Sequence, residues 1–152
     1  ILLNNAGIFL NENLNQLDED AFEDIAKQIQ INSIAPLKVT SKFLPLINDG
    51  GKLAYITSRM GSISDNSSGG YYGYRMSKAA LNAAAKSLAV DLQDRDIAIG
   101  IIHPGFVKTD MTNHTGDIAA KDAAENIFNR IMELNIGNSG KFFHAKGSEL
   151  GW

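Results

Sequence analysis

The sequence predicts an α/β fold, a doubly wound parallel sheet with helices on both faces. Three observations carry the prediction. Short apolar runs alternate with longer stretches of helical periodicity, in the order strand, helix, strand, helix, strand, helix, strand. Such alternation builds a parallel sheet through crossover helices. The runs at 1–7, 52–58 and 97–102 are nearly continuous in apolar residues, as strands covered on both faces are. Each run also ends in small, polar or turn residues: Asn4-Asn5-Ala6-Gly7, Thr57-Ser58 and His103-Pro104-Gly105. Successive parallel strands set such ends along one rim, where open α/β sheets bind ligands.

Length and composition set the bounds. The chain has 152 residues, about one domain, so residues 1–152 are expected to form a single one. It has no Cys, which excludes a disulfide framework and a thiolate metal site. His103, His114 and His144 stand at no ligand spacing, so no metal is expected. The net charge is -3, without a basic cluster that would suit nucleic acid or an anionic membrane. No apolar run approaches the ~18 residues of a membrane span, and a cytoplasmic protein is expected. The chain opens on Ile1 in mid-strand, so a larger domain, of which this is the C-terminal portion, is expected. Asn113-His114-Thr115 matches a glycosylation acceptor but has no secretory context.

Residues 18–48 read as one helix, with Asp18, Glu19 and Asp20 near its positive end. Phe22, Ile25, Ile29, Asn32 and Pro36 form its inward stripe. Asn32 is polar on an apolar stripe and must find hydrogen-bond partners. Pro36 has no N–H to give the Asn32 carbonyl, so a kink is expected there. Gly50-Gly51 ends this helix, and the strand 52–58 delivers Ser58 to the rim. The following loop, 59–70, is rich in Ser, Gly, Asn and Asp; long polar loops commonly carry active sites.

The next helix, about 72–94, opens on Tyr74-Arg75-Met76-Ser77-Lys78. Side chains four apart stand one turn apart on one face. An ammonium beside a phenol favours phenolate, so the Tyr74 pKa is expected to fall toward working pH. A tyrosine so tuned exchanges a proton with a carbonyl or an alcohol. Ala79, Ala80, Ala83, Ala84 and Ala89 make this helix smooth enough for another helix to approach. Beyond the third strand, His103 reads as a strand-end packing residue. Residues 117–135 read as a helix with Ala120, Ala124, Ile127 and Ile131 inward, and 141–145 as a last short strand.

In their order these residues resemble the short-chain dehydrogenase/reductase family, nearest to the carbonyl reductases of the sniffer and C-factor subgroup. Asn4-Asn5-Ala6-Gly7 is similar to that family's N-N-A-G, Ile31-Asn32-Ser33 to its helix Asn, and Ile56-Thr57-Ser58 to its strand-end Ser. Tyr74 to Lys78 is similar to its Y-x-x-x-K, and Pro104-Gly105-Phe106-Val107-Lys108-Thr109 to its P-G-x-V-x-T. The resemblance implies a Rossmann-like sheet, of which about four strands are present, and reversible hydride transfer between NAD or NADP and a small carbonyl or alcohol. NADP is slightly favoured. It implies Tyr74 as general acid/base and Ser58 as the partner of the substrate oxygen. It implies Lys78 on the nicotinamide ribose and Asn32 on a proton-relay water. Asn5, Ala6, Gly7, Tyr74, Lys78, Pro104, Gly105, Val107 and Thr109 would line the cofactor cleft. The spacing to Tyr74 leaves Ser58 and Ser62 both open, and the strand-end position favours Ser58. The family's Gly-rich phosphate turn would lie upstream of Ile1, leaving a bare edge on the first strand. A homodimer or homotetramer through the helices around Asn32 and after Tyr74 is expected. A second class stays open: a catalytically idle signalling or binding protein on the same scaffold.

Overall fold

The computed structural model describes residues 1–152. Its strands are β1 (Leu2–Asn4), β2 (Lys52–Ile56), β3 (Ala98–His103) and β4 (Phe142–His144), all parallel in the order β1-β2-β3-β4. The register sets Asn4 opposite Tyr55, Ile56 opposite Ile102, and His103 opposite His144. The C-terminal ends of the strands therefore share one edge, as the α/β pattern predicts. The helices are α1 (Glu19–Ile29), α2 (Ala35–Phe43), α3 (Tyr72–Asp91) and α4 (Ala120–Met132).

Alternation along the strands divides the core in two. Leu53, Tyr55, Ile99 and Ile101 face α3, where Leu81 and Ala85, with Leu92 just past its end, belong to the same larger cluster. Ala54, Ile56 and Ile102 face the opposite way, toward Ile127 and Ile131 of α4. Full burial of one such side chain stabilises by about 1.5–3 kcal/mol, which is why both faces need helices. No helix is long and apolar enough to cross a membrane.

The long helix expected over 18–48 is broken into pieces. Between α1 and α2 lies a π-helical turn (Gln30–Ile34), closed by the Ala35 N–H donating to the Gln30 carbonyl. The expected kink takes this form. The extra residue per turn places Pro36 in the first turn of α2, where a missing N–H costs little. The helix ends early in a 3-10 turn (Leu44–Leu46) around Pro45.

Two inward stripes also need correcting. Phe22 is 53% exposed, and the buried positions are Ile25, Gln28, Asn32 and Pro36, with Ile29 partly covered. α1 approaches α3 closely at Ile25, whose Cα lies against Gly73, and Phe22 sits one turn before it. On α4 the buried residues are Ala123 and Ile131, continued by Leu134, with Ile127 partly covered, while Ala120 and Ala124 are exposed. Alanine buries too little area to anchor a face, so the isoleucines decide the rotation.

Tyr55 and Thr40 join β2 to α2 inside the core through a hydroxyl pair at 2.6 Å. Tyr55→Phe is expected to destabilise by about 1–3 kcal/mol, because the Thr40 hydroxyl is left buried without a partner. Adding Thr40→Val should cost less than the two single effects combined, a coupling that urea unfolding of the four variants would measure.

Candidate active site

The rim is built from the ends of β1, β2 and β3 and the first turns of α3. After β1 the chain runs past Gly7 to Ile8, and Asn32 holds it there. Asn32 Oδ1 accepts the Ile8 N–H at 2.8 Å, and its Nδ2 donates to the Ile8 carbonyl at 2.9 Å. The same Nδ2 donates to Ser77 Oγ at 3.0 Å. Asn32 is 0% exposed, so these bonds supply the partners that a buried amide requires. They are possible because the π-helical turn aims Asn32 between the β1 loop and α3. Ser33 adds a second tie, its Oγ donating to the Ser77 carbonyl at 2.8 Å.

Tyr74 and Lys78 lie one turn apart on α3, both buried, with Lys78 Nζ 5.7 Å from the Tyr74 ring centroid. Nζ donates to the Ile56 carbonyl at the end of β2, at 3.0 Å. A lysine has three N–H donors, so two stay available at the rim. They open toward Gly7, where an added Cβ would lie 3.4 Å from Nζ and 3.2 Å from Asn32 Oδ1. Phe9 packs edge-on against the Tyr74 ring, with centroids 4.9 Å apart.

Ser58 faces Tyr74, and its Oγ also accepts the Met60 N–H at 3.1 Å. Ser62 is committed elsewhere: its Oγ pairs with Ser64 Oγ at 3.1 Å and accepts the Asp65 N–H at 3.2 Å. Gly61 lets this loop rest on the α3 backbone, since a Cβ there would come within 2.7 Å of the Lys78 carbonyl carbon. Arg75 pins the far end of the loop through Gly70 O at 3.2 Å and Ser68 Oγ at 2.9 Å. Sequence reading passed over Arg75, Ser77 and Phe9: Ser77 and Phe9 act through partners distant in the chain, and Arg75 through a loop whose path follows no periodicity.

Electrostatics differ from expectation in one respect. The Tyr74 pKa is raised, not lowered: burial disfavours phenolate more than the Ser58 hydroxyl favours it. Lys78 does not reverse this. Burial lowers its own pKa to about 8, and its ammonium is turned toward Ile56. His103 packs edge-to-face on His144 at 5.2 Å, as a strand-end packing residue would. Burial pushes its pKa down to about 4, with His144 and Arg59 adding to the effect, so at neutral pH its ring is uncharged.

The remaining expected residues line the same edge. Asn5 and Ala6 are exposed at the end of β1, while Asn4 is buried with Nδ2 unpartnered. Gly105 turns the chain at φ 94°, close to His144. The Val107 carbonyl accepts from Thr112 Oγ1 at 2.6 Å, and Thr112 Oγ1 in turn accepts the Thr109 N–H at 3.1 Å. Val107 also bridges to Ile118. A nicotinamide nucleotide fits this donor set. The orphaned Asn4 Nδ2 and the unspent Lys78 N–H groups offer donors for its hydroxyl and amide oxygens.

Known proteins resemble the chain in sequence and in fold. A family profile described as short chain dehydrogenase matches residues 1–119. The chain is 41% identical to the C-signal of Myxococcus xanthus, over 100% of this chain and 92% of that protein. It is 38% identical to the 1-hydroxy-2-glutathionyl-2-methyl-3-butene dehydrogenase of Rhodococcus sp., over 97% of this chain but 66% of that enzyme. The carbonyl reductase Sniffer of Drosophila melanogaster superposes with a TM-score of 0.93 at 32% identity. An NADPH-bound carbonyl reductase from chicken fatty liver superposes at 0.90 with 28% identity. In both structures 99% of this chain covers 65% of the other, so it spans just under two thirds of their length.

The buried Lys78 makes stability depend on pH. Below its folded pKa of about 8 the lysine is charged in folded and unfolded chains alike, and the folded state carries the full desolvation cost. Between about 8 and the ordinary value of 10.5 the unfolded chain binds the extra proton, so stability rises with pH. A gain of about 2 kcal/mol by roughly pH 9.5 is expected. Lys78→Met should abolish it. Urea unfolding across this range reads the difference, before the tyrosines ionise and act in the opposite direction.

Proposed function

Because this chain belongs to the short-chain dehydrogenase family, we propose that it serves an NAD(P)-dependent oxidoreductase that interconverts a small carbonyl and its alcohol. The observation that carries this reading is the buried pair Tyr74 and Lys78 on one turn of α3, with Ser58 opposite the phenol. A bound nicotinamide would supply or accept the hydride. Every other role falls to side chains of the chain.

Tyr74 holds the proton that a reduced carbonyl oxygen needs. Its raised pKa keeps it protonated at neutral pH, ready to act as the acid. Ser58 orients the same oxygen through its hydroxyl. Lys78 holds the ribose with its two free N–H donors, and its charge favours phenolate once the proton has left. Asn32 positions the β1 loop beside Lys78 with its side chain, and its main-chain carbonyl, to which Pro36 has no N–H to give, binds the relay water. Asn5, Ala6 and Gly7 form the cofactor wall at β1. Pro104, Gly105, Val107 and Thr109 form it at β3. NADP is favoured over NAD by the NADPH-bound reductase with the same fold.

The 41% identity to the C-signal supports a second reading, a catalytically idle signalling protein on this scaffold. Turnover separates the two. With NADPH and an electron-poor aldehyde, Tyr74→Phe should lower kcat by roughly 10²–10⁴-fold while cofactor fluorescence titration is unchanged. Lys78→Met should lose both turnover and cofactor affinity. Full turnover in Tyr74→Phe would remove the acid assignment. Cofactor binding without reduction of any carbonyl would favour the second reading.

A homodimer or homotetramer through α2 and α3 is proposed as well. Met76, Ala80, Ala83, Ser87 and Val90 form one exposed face of α3, and Leu37, Val39 and Phe43 are half-exposed on α2. A face so rich in apolar and small residues suits a copy of itself about a two-fold axis. Ala83→Glu should shift the molecular mass from light scattering to that of a monomer. A monomeric parent protein would end this reading.

A further inference from the structure

Glu12 is an acid with 3% of its surface exposed, in the loop between β1 and α1. Its carboxylate meets donors from two other elements. Oε1 accepts from Gln28 Nε2 on α1, and Oε2 accepts from the Gly73 backbone N–H on α3 at 3.0 Å. The Glu12 carbonyl accepts the Tyr71 N–H, also at 3.0 Å. Gln28, itself fully buried, spends its Oε1 on the Leu10 N–H at 2.9 Å.

The first turn of α3 has no such support of its own. Its N-cap residue Tyr71 is left-handed at φ 54°, makes no side-chain cap, and no acid stands in that turn. Orphan N–H groups at a helix start need acceptors, and negative charge there is favourable. Glu12 provides both across the fold. Gly73 is what admits it, since a Cβ would lie 2.9 Å from both Glu12 Oε1 and the Ile25 Cα. The next residue is Tyr74. Phe9, on the same loop as Glu12, packs on Tyr74 at 4.9 Å and on Tyr71 at 5.5 Å.

The donors and acceptors allow one solution. Because Gln28 Oε1 is held by Leu10, its amide can only donate toward Glu12, and the Gly73 N–H is a donor as well. Position 12 must accept on both of its terminal atoms, which a carboxylate does and a carboxamide cannot. We propose that Glu12, paired with Gln28, is a positioning residue for Tyr74: it fixes the start of α3 and holds the Phe9 loop against the phenol. This rests on the reading of Tyr74 as the acid.

The test uses the full chain and an exchange of the two side chains. Glu12→Gln sets two donors face to face in either amide orientation. The double variant Glu12→Gln with Gln28→Glu restores every bond: the new amide accepts from Gly73 and donates to the new carboxylate, which also accepts from Leu10. A displacement of about 1 Å costs on the order of 10²-fold in rate. Glu12→Gln should therefore lower kcat on that order, with the KM for NADPH changed less than about threefold. The Gly73 and Tyr74 amides should exchange hydrogen faster. The double variant should bring kcat and amide protection back to within about fivefold of the parent, rescue that loss of charge or volume at position 12 alone would not produce.

Unchanged kcat in Glu12→Gln would overturn the proposal. So would a double variant that regains amide protection without regaining kcat, or one that fails to fold. If Glu12→Gln itself does not fold, a folded and active double variant supports the proposal. Tyr74→Phe is assayed beside them. Full turnover in that variant would defeat the reading of Tyr74, while amide exchange would still report whether Glu12 and Gln28 hold α3.

Discussion

The clasp of Asn32 on Ile8 is the interaction from which the rest of the site hangs. One buried amide holds both backbone groups of Ile8 and also reaches Ser77. It thereby joins the β1 loop, the π-helical turn and α3 across sequence separations of 24 and 45 residues. An amide buried this deeply is costly unless paired, so each partner constrains the others. The π-helical turn is the local irregularity that makes the clasp possible. Pro36 follows it at a position where its lack of an N–H is tolerated.

Around that clasp, burial sets the chemistry. Tyr74 and Lys78 are both withdrawn from water, and withdrawal favours the neutral form of each. The phenol stays protonated more firmly, and the lysine gives up its proton more easily. One carbonyl, that of Ile56, holds the lysine in place. Hydrogen bonds and desolvation rather than a close ion pair therefore govern the protons of this site. A ligand that took the remaining lysine donors would restore the preference for the charged amine.

The rim was legible in the sequence because its parts obey local rules. Strands end where apolar runs meet Asn4, Ser58 and Pro104, and parallel connections force those ends to one side. The spacing of Tyr74 and Lys78 fixed their common face. The sign of the Tyr74 shift was not legible, because desolvation depends on how the tertiary fold, Phe9 of the β1 loop included, closes over the phenol. Asn4 and Asn5 could not be told apart by type. The backbone puts Asn4 inward with an unpaired amide and leaves Asn5 at the surface.

By itself, then, the sequence determined the fold class, the order of strands and helices, the rim and the chemical types on it. Periodicity, turn residues and chain connectivity act over a few positions and can be read along the chain. Only the tertiary structure decided which polar residues are buried together. Glu12, Gln28 and Gly73 carry no pattern along the chain, yet a carboxylate, a carboxamide and a missing Cβ form one unit in space. The same is true of Ser77 with Asn32 and of Phe9 with Tyr74. Such partners are selected by distance and by the need to satisfy every buried donor, and neither exists until the helices have packed.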